Sequence, residues 1–150
     1  MLIVVTAVTG YFYAFFFMLS KILLYILISL VLGDFIFLFL FKSPVSVKRI
    51  VPKRMSNGDD NEIKIFLKNN IKWPLKLEII DEIPYQFQQR NFIIRLFLKT
   101  RQEKQLHYYL KPLRRGEYAF GYTIVFIHGI FRLMARKIKM EEPVNVPVYP

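Results

Sequence analysis

The first 41 residues constrain this chain more than anything that follows them. From Met1 to Phe41 only Lys21 and Asp34 carry formal charge, and the stretches Leu2 to Leu19 and Ile22 to Phe41 are almost wholly apolar. The hydrocarbon core of a bilayer is ~30 Å thick and takes roughly 20 helical residues at ~1.5 Å each. Either stretch is long enough to cross, and one unbroken helix over both would be about 60 Å long, twice what the core covers. The expectation is a transmembrane helical hairpin over residues 1–41 that turns near Ser20 and Lys21. A signal peptide fits less well. No basic segment precedes the first apolar stretch, no small-residue cleavage site ends it, and a second stretch begins at once.

Asp34 is the one acid inside the spans. An ionised carboxylate facing lipid is costly, so Asp34 is expected to face the partner helix or to be protonated. With the turn at Ser20 and Lys21, Asp34 lies level with Ala7 and close to Thr6, while Gly33 meets Val8 and Gly10 meets Val31. Small residues at that level allow close approach, and a hydrogen bond from Thr6 or Thr9 to Asp34 is expected to fix the hairpin. With no second charge in the spans other than Lys21, that role is structural rather than transport.

Charge sets the orientation. Lys42, Lys48, Arg49, Lys53 and Arg54 follow the second span with no acid before Asp59, so the positive-inside rule places residues 42–150 in the cytoplasm. Lys21 and Asp34 cancel, so the whole net charge of +11 lies beyond Phe41. A domain of that charge is drawn to anionic headgroups. The chain has no cysteine, which excludes disulfides and thiolate metal sites.

Beyond Ser43 and Pro44 the hydrophobic period changes to two. Val45 to Val51, Ile63 to Leu67, Leu75 to Ile79, Phe92 to Leu98, Leu106 to Leu110 and Tyr118 to Tyr122 alternate apolar with polar, and Thr123 to Ile127 is more continuous. Lys137 to Met140 and Val144 to Val148 supply two last candidates, and Asn57 to Asn61, Asn69 to Asn70 and Arg115 to Gly116 are turns. Short strands between turns, with no amphipathic helix among them, predict a membrane-anchored all-β chain: an immunoglobulin-like antiparallel β-sandwich over 42–150.

Few residues point to chemistry. Asp59 to Glu62 lack the ligand spacing of a calcium loop, and His107 and His128 are read as isolated residues without paired carboxylates. There is no nucleophile elbow, phosphate loop or glycine-rich dinucleotide turn, so neither an enzyme nor a cofactor is expected. Arg90, Arg95, Lys99, Arg101 and Lys104 interleave with aromatics, but at strand spacing, which makes them a solvated face rather than a nucleic-acid surface. The most individual stretch runs from Lys111 to Gly121. Pro112 ends a strand, Gly116 takes a positive φ and Tyr118 anchors the next strand, while Arg114, Arg115, Gly116, Glu117 and Tyr118 are the candidate interaction surface.

Five segments in order, Arg54 to Asp59, Asn69, Ile80 to Pro84, Pro112 to Gly121 and Val146 to Pro150, follow the apolar N-terminus. Together they resemble the N-terminal half of the bacterial domain of unknown function 58 family, membrane proteins associated with MoxR-type AAA+ ATPases. In that family a von Willebrand A-like domain follows, whereas this sequence stops at Pro150 without an Asp-x-Ser-x-Ser motif, so the expectation is a fragment or truncated form. The resemblance implies a MoxR-type ATPase and von Willebrand A-like proteins as partners of a non-enzymatic membrane scaffold. The rival expectation is a sandwich that binds a ligand on the envelope side.

Overall fold

The computed structural model describes residues 2–88 and 92–149, with side-chain detail from Val8 onward. The side chain of Thr6, and Arg90 and Pro150, lie outside that description. One helix, α1 (Leu2–Leu40), precedes ten strands. These are β1 (Val45–Ile50), β2 (Met55–Ser56), β3 (Asn61–Asn69), β4 (Leu75–Asp81) and β5 (Ile93–Leu98), then β6 (Glu103–Leu110), β7 (Gly116–Phe120), β8 (Thr123–His128), β9 (Ala135–Lys139) and β10 (Val144–Tyr149).

The helical hairpin is not formed. α1 runs unbroken for 39 residues, about 58 Å at ~1.5 Å per residue. Its expected turn lacks a residue that stops a helix, and both polar groups there are satisfied from within. The Ser20 hydroxyl donates to the Phe17 carbonyl at 2.8 Å, and the Lys21 ammonium lies 4.4 Å from the centre of the Phe17 ring. Length alone argues for a turn, but a bilayer's thickness does not bend a helix whose backbone bonds are all made. By length and composition, Val8–Leu40 is one segment apolar enough to cross a membrane, and apolar side chains are exposed on all its faces until its last turns.

The strands form a sandwich. β1–β3–β6 make one antiparallel sheet and β5–β4–β8–β9 the opposing one, while β2–β10–β7 form a third in which the short β2–β10 pair is parallel. The period-two pattern fixes which faces meet. Val45, Ile63, Ile65, Leu67 and Leu110 of the first sheet pack against Leu75, Leu77, Ile79, Leu98, Val125 and Ile127 of the second. Met55, Tyr118, Phe120, Val146 and Val148 close the core at the end away from the helix, and Leu38 of α1 joins it at the near end. Each aliphatic side chain so buried contributes about 1.5–3 kcal/mol.

The core also holds a polar node. Arg49 in β1, Asp81 in β4, Tyr108 in β6 and Thr123 in β8 sit at strand positions that face inward, and all are buried. Arg49 Nη1 donates to Asp81 Oδ1 at 2.5 Å, Thr123 Oγ1 donates to the same oxygen at 3.0 Å, and the Tyr108 hydroxyl donates to Oδ2. Arg49 Nη2 donates to the carbonyls of Gly121 and Glu142. Burial first, then the Asp81 charge, pushes the Tyr108 phenol far above its ordinary range, so it remains a donor. The node joins both main sheets through one carboxylate. Asp81→Leu strands the Arg49 charge and should cost about 3–5 kcal/mol in urea denaturation of the full chain in detergent, followed by circular dichroism. Adding Arg49→Met should restore most of that loss, and Tyr108→Phe alone should cost about 1–3 kcal/mol.

Candidate functional site

Two ends of the sandwich carry chemistry. The near end is built around the last turns of α1. β1 begins just after the helix and pairs Val45 with Asn69, so the β3–β4, β5–β6 and β8–β9 connections gather beside it. Asn69, fully buried, ties two of them together: its side-chain amide donates to the carbonyls of Trp73 and Lys99, and its oxygen accepts from the Ile71 amide. Trp73 meets Phe37 of α1 edge to face, with ring centres 6.4 Å apart.

The expected contact of Asp34 with Thr9 does not occur, and the side chain of Thr6, its other expected partner, lies outside the described residues. In the continuous helix Thr9 lies about 38 Å from Asp34 along the axis. Asp34 is instead fully buried against the β8–β9 loop. Its Oδ1 accepts from the Phe131 amide at 2.8 Å, and Oδ2 accepts from the amides of Leu133 at 2.9 Å and Met134 at 3.3 Å. The loop closes on itself as well. The Gly129 amide donates to the Met134 carbonyl, the Arg132 amide donates to the Gly129 carbonyl, and Arg132 turns the chain at φ 61°. Gly129 is required by proximity, since a Cβ there would overlap the Asp34 carboxylate. From β9, Arg136 Nη1 donates to the carbonyls of Leu38 and Phe41 at 2.9 and 3.0 Å, satisfying orphan acceptors at the helix end.

The basic residues after α1 do not act as a single group. Lys42 is exposed at the helix end and Lys48 on β1, and Lys53 and Arg54 are exposed beyond β1 at the far end. Arg49 is the buried partner of Asp81 and is withdrawn from any headgroup.

The far end presents a groove of about 560 Å³ lined by Tyr85, Gln86, Leu113, Arg114, Arg115 and Glu117. Gly116 opens β7 at φ 138°, a conformation that favours glycine, and pairs with Val148. The Tyr118 hydroxyl donates to the Arg114 carbonyl at 2.9 Å, and its ring packs on Phe87. These bonds hold the segment while Arg114 and Arg115 stay exposed between Tyr85, 85% accessible, and Leu113, 78% accessible. Gln86 Nε2 donates to the Glu117 carbonyl, and Gln86 Oε1 is buried without a partner. Two exposed guanidinium groups between apolar side chains suit a carboxylate-bearing protein surface. Sequence reasoning finds the arginines but not Tyr85 and Gln86, which Pro84 turns into the groove by way of a short 3₁₀ turn.

The histidines are not isolated. His107 Nδ1 lies 2.6 Å from Glu62 Oε1 on the outer face of the first sheet, and His128 Nε2 lies 3.7 Å from Glu78 Oε2 on the second. Their partners stand on adjacent strands, which sequence spacing does not display. The His107 hydrogen bond, followed by that of Lys64, holds the Glu62 carboxyl below the usual carboxylate range, and Arg95 chiefly does the same for Glu78. Among the described residues, no three His, Asp or Glu side chains converge as metal ligands.

No protein-family model and no curated protein matches the chain. Solved structures do match. The CARDB domain of a Pyrococcus furiosus protein, solved in complex with di-metal ions, has a TM-score of 0.50 at 16% identity, over 73% of this chain and 91% of that domain. The fold is similar to that of a CARDB domain. A beta-glucosidase from Listeria innocua in complex with isofagomine has a TM-score of 0.37 at 14% identity, over 71% of this chain and 16% of the enzyme. The CARDB likeness shows an immunoglobulin-like β-sandwich and no more, and the metal ions of that domain have no matching ligand cluster among the described residues here.

Gly129→Ala should lower stability by about 1–3 kcal/mol, because neither the loop nor the carboxylate has room to retreat. If the clash with Asp34 is the cause, the double variant with Asp34→Ala should lose less than the sum of the two single losses.

Proposed function

We propose that this protein is a non-enzymatic interaction module, anchored in the bacterial inner membrane by α1 and presenting its sandwich in the cytoplasm. The observation that carries this reading is the construction of the near end. Asp34 and Leu38 are buried in the sandwich and Arg136 binds the last carbonyls of α1, so the anchor and the domain share one core. A helix joined in this way holds the far groove at a fixed distance from the bilayer.

The charge distribution supports the cytoplasmic orientation. Besides Lys42, the near end exposes Lys72, Lys76, Lys99, Arg101 and Arg132. Folding thus gathers basic residues beside the helix that are scattered in the sequence, which favours an anionic cytoplasmic leaflet. The resemblance to the domain of unknown function 58 family supports the choice of partner. Four of its segments, Arg54 to Asp59, Ile80 to Pro84, Pro112 to Gly121 and Val146 to Tyr149, converge at the far end. There β2 and β7 both pair with β10, and the Gly121 amide donates to the Glu82 carbonyl. A MoxR-type AAA+ ATPase and von Willebrand A-like proteins are the partners this reading assigns to the groove.

A reporter fused after Pro150 should be active as a cytoplasmic fluorescent protein and silent as alkaline phosphatase; phosphatase activity would reverse the orientation and favour an envelope-side ligand. Arg114→Glu with Arg115→Glu should weaken binding of a co-expressed MoxR-type ATPase about tenfold or more, ~1.4 kcal/mol, at unchanged melting temperature. Equal binding by that variant would remove the groove from the proposal.

A further inference from the structure

We infer that the β8–β9 loop, Gly129–Met134, is a membrane-inserted wedge held at bilayer depth by Asp34. This rests on the reading of α1 as a membrane anchor. Asp34 lies six residues before the end of α1, so the loop it holds is level with a point about 9 Å back along the helix. On the opposite side of those last turns Phe35, Ile36, Phe39 and Leu40 are exposed, Leu40 by 68%. Four large apolar side chains need lipid around them, so the bilayer reaches at least to the helix end. Lys42 is the first charged residue after the helix and marks the surface on that side. With the surface at Lys42, the loop is immersed.

The loop's composition fits that depth. Ile130, Phe131 and Leu133 are all exposed, about half of each surface being free, and none belongs to the sandwich core. Arg132 stands among them on a side chain long enough to reach headgroups. The backbone is the stronger sign. Irregular chain is tolerated at membrane depth only where its backbone polar groups are satisfied and shielded by protein rather than left to lipid. Five of the six loop amides, all but that of Ile130, have partners, three of them through Asp34. An acid that lipid would reject and three amides that lipid would reject satisfy one another. Trp73, exposed beside Phe37, lies at the same end, as an interfacial tryptophan would.

Trp73 is the sole tryptophan, so depth can be read by fluorescence of the full chain in phosphatidylcholine–phosphatidylglycerol vesicles. Three single-tryptophan probes are placed in a Trp73→Phe background: Phe131→Trp in the loop, Leu27→Trp in α1, and Leu113→Trp at the far end. Lipids brominated on the acyl chains should quench the loop probe and the helix probe alike, with blue-shifted emission, and leave the far-end probe unquenched. Quenching of the helix probe without the loop probe would overturn the wedge while preserving the anchor, and no quenching of the helix probe would overturn the anchor itself. Adding Asp34→Asn, which exchanges an accepting oxygen for a donor, should shift the emission of the loop probe to the red and reduce its quenching while the helix probe is unaffected. Unchanged quenching of the loop probe in that variant would show that Asp34 does not hold the loop.

Discussion

A carboxylate taken out of water must find donors or be neutralised, and this structure depends on two such carboxylates. Asp34 is enclosed by backbone amides at the near end, and Asp81 by a guanidinium and two hydroxyls toward the other end. Between them the sandwich is apolar. Burial of leucine, isoleucine and valine drives collapse but discriminates weakly among registers, whereas a buried ion with fixed donors accepts few arrangements. Asp81 thereby specifies how the two main sheets are aligned. Asp34 does the same for helix and sandwich, because the β8–β9 loop brings three converging amides beside a residue without a Cβ.

Most strands are legible because half-buried sheet imposes strict alternation, and the observed elements follow it. The polar node is legible in principle too. Arg49 has the same parity as Val45 and Val47, Asp81 as Leu77 and Ile79, Tyr108 as Leu106 and Leu110, and Thr123 as Val125 and Ile127. Charge on the inward parity of a strand signals a buried partner, but which partner depends on strand order, and turn residues do not encode that order. Sequence reasoning accordingly groups Arg49 with exposed basic neighbours. The loop around Asp34 gives no comparable sign. Gly129 to Met134 reads as an ordinary connection, and its meaning comes from a helix residue 100 positions before Met134. The unbroken helix escapes the sequence reading for another reason: bilayer thickness suggests a bend, although nothing at Ser20 or Lys21 disfavours helix.

The far end gains its character from convergence. β2, β7 and β10 come from widely separated parts of the sequence and form a small sheet that closes the core through Met55, Tyr118, Phe120 and Val148. The groove beside it is held by the Tyr118 hydroxyl on the Arg114 carbonyl and by the Gln86 amide on the Glu117 carbonyl. Its arginines are therefore offered from a stiff edge, which would limit the entropy lost in engaging the proposed partner.

The separation of Asp34 from its donors orders events in time. Phe131, Leu133 and Met134 are made 97 to 100 residues after the acid they satisfy. At ~5–20 residues per second, synthesis leaves an interval of about 5–20 s in which α1 exists and the loop does not. In the proposed anchor reading, α1 inserts during that interval with an unmatched acid near its end, tolerated there more readily than at mid-bilayer. The last hairpin of the opposing sheet, β8–β9, then relieves it. Completion of the sandwich and seating of the helix are one event, and a chain stalled before residue 131 keeps a helix whose acid still lacks those donors.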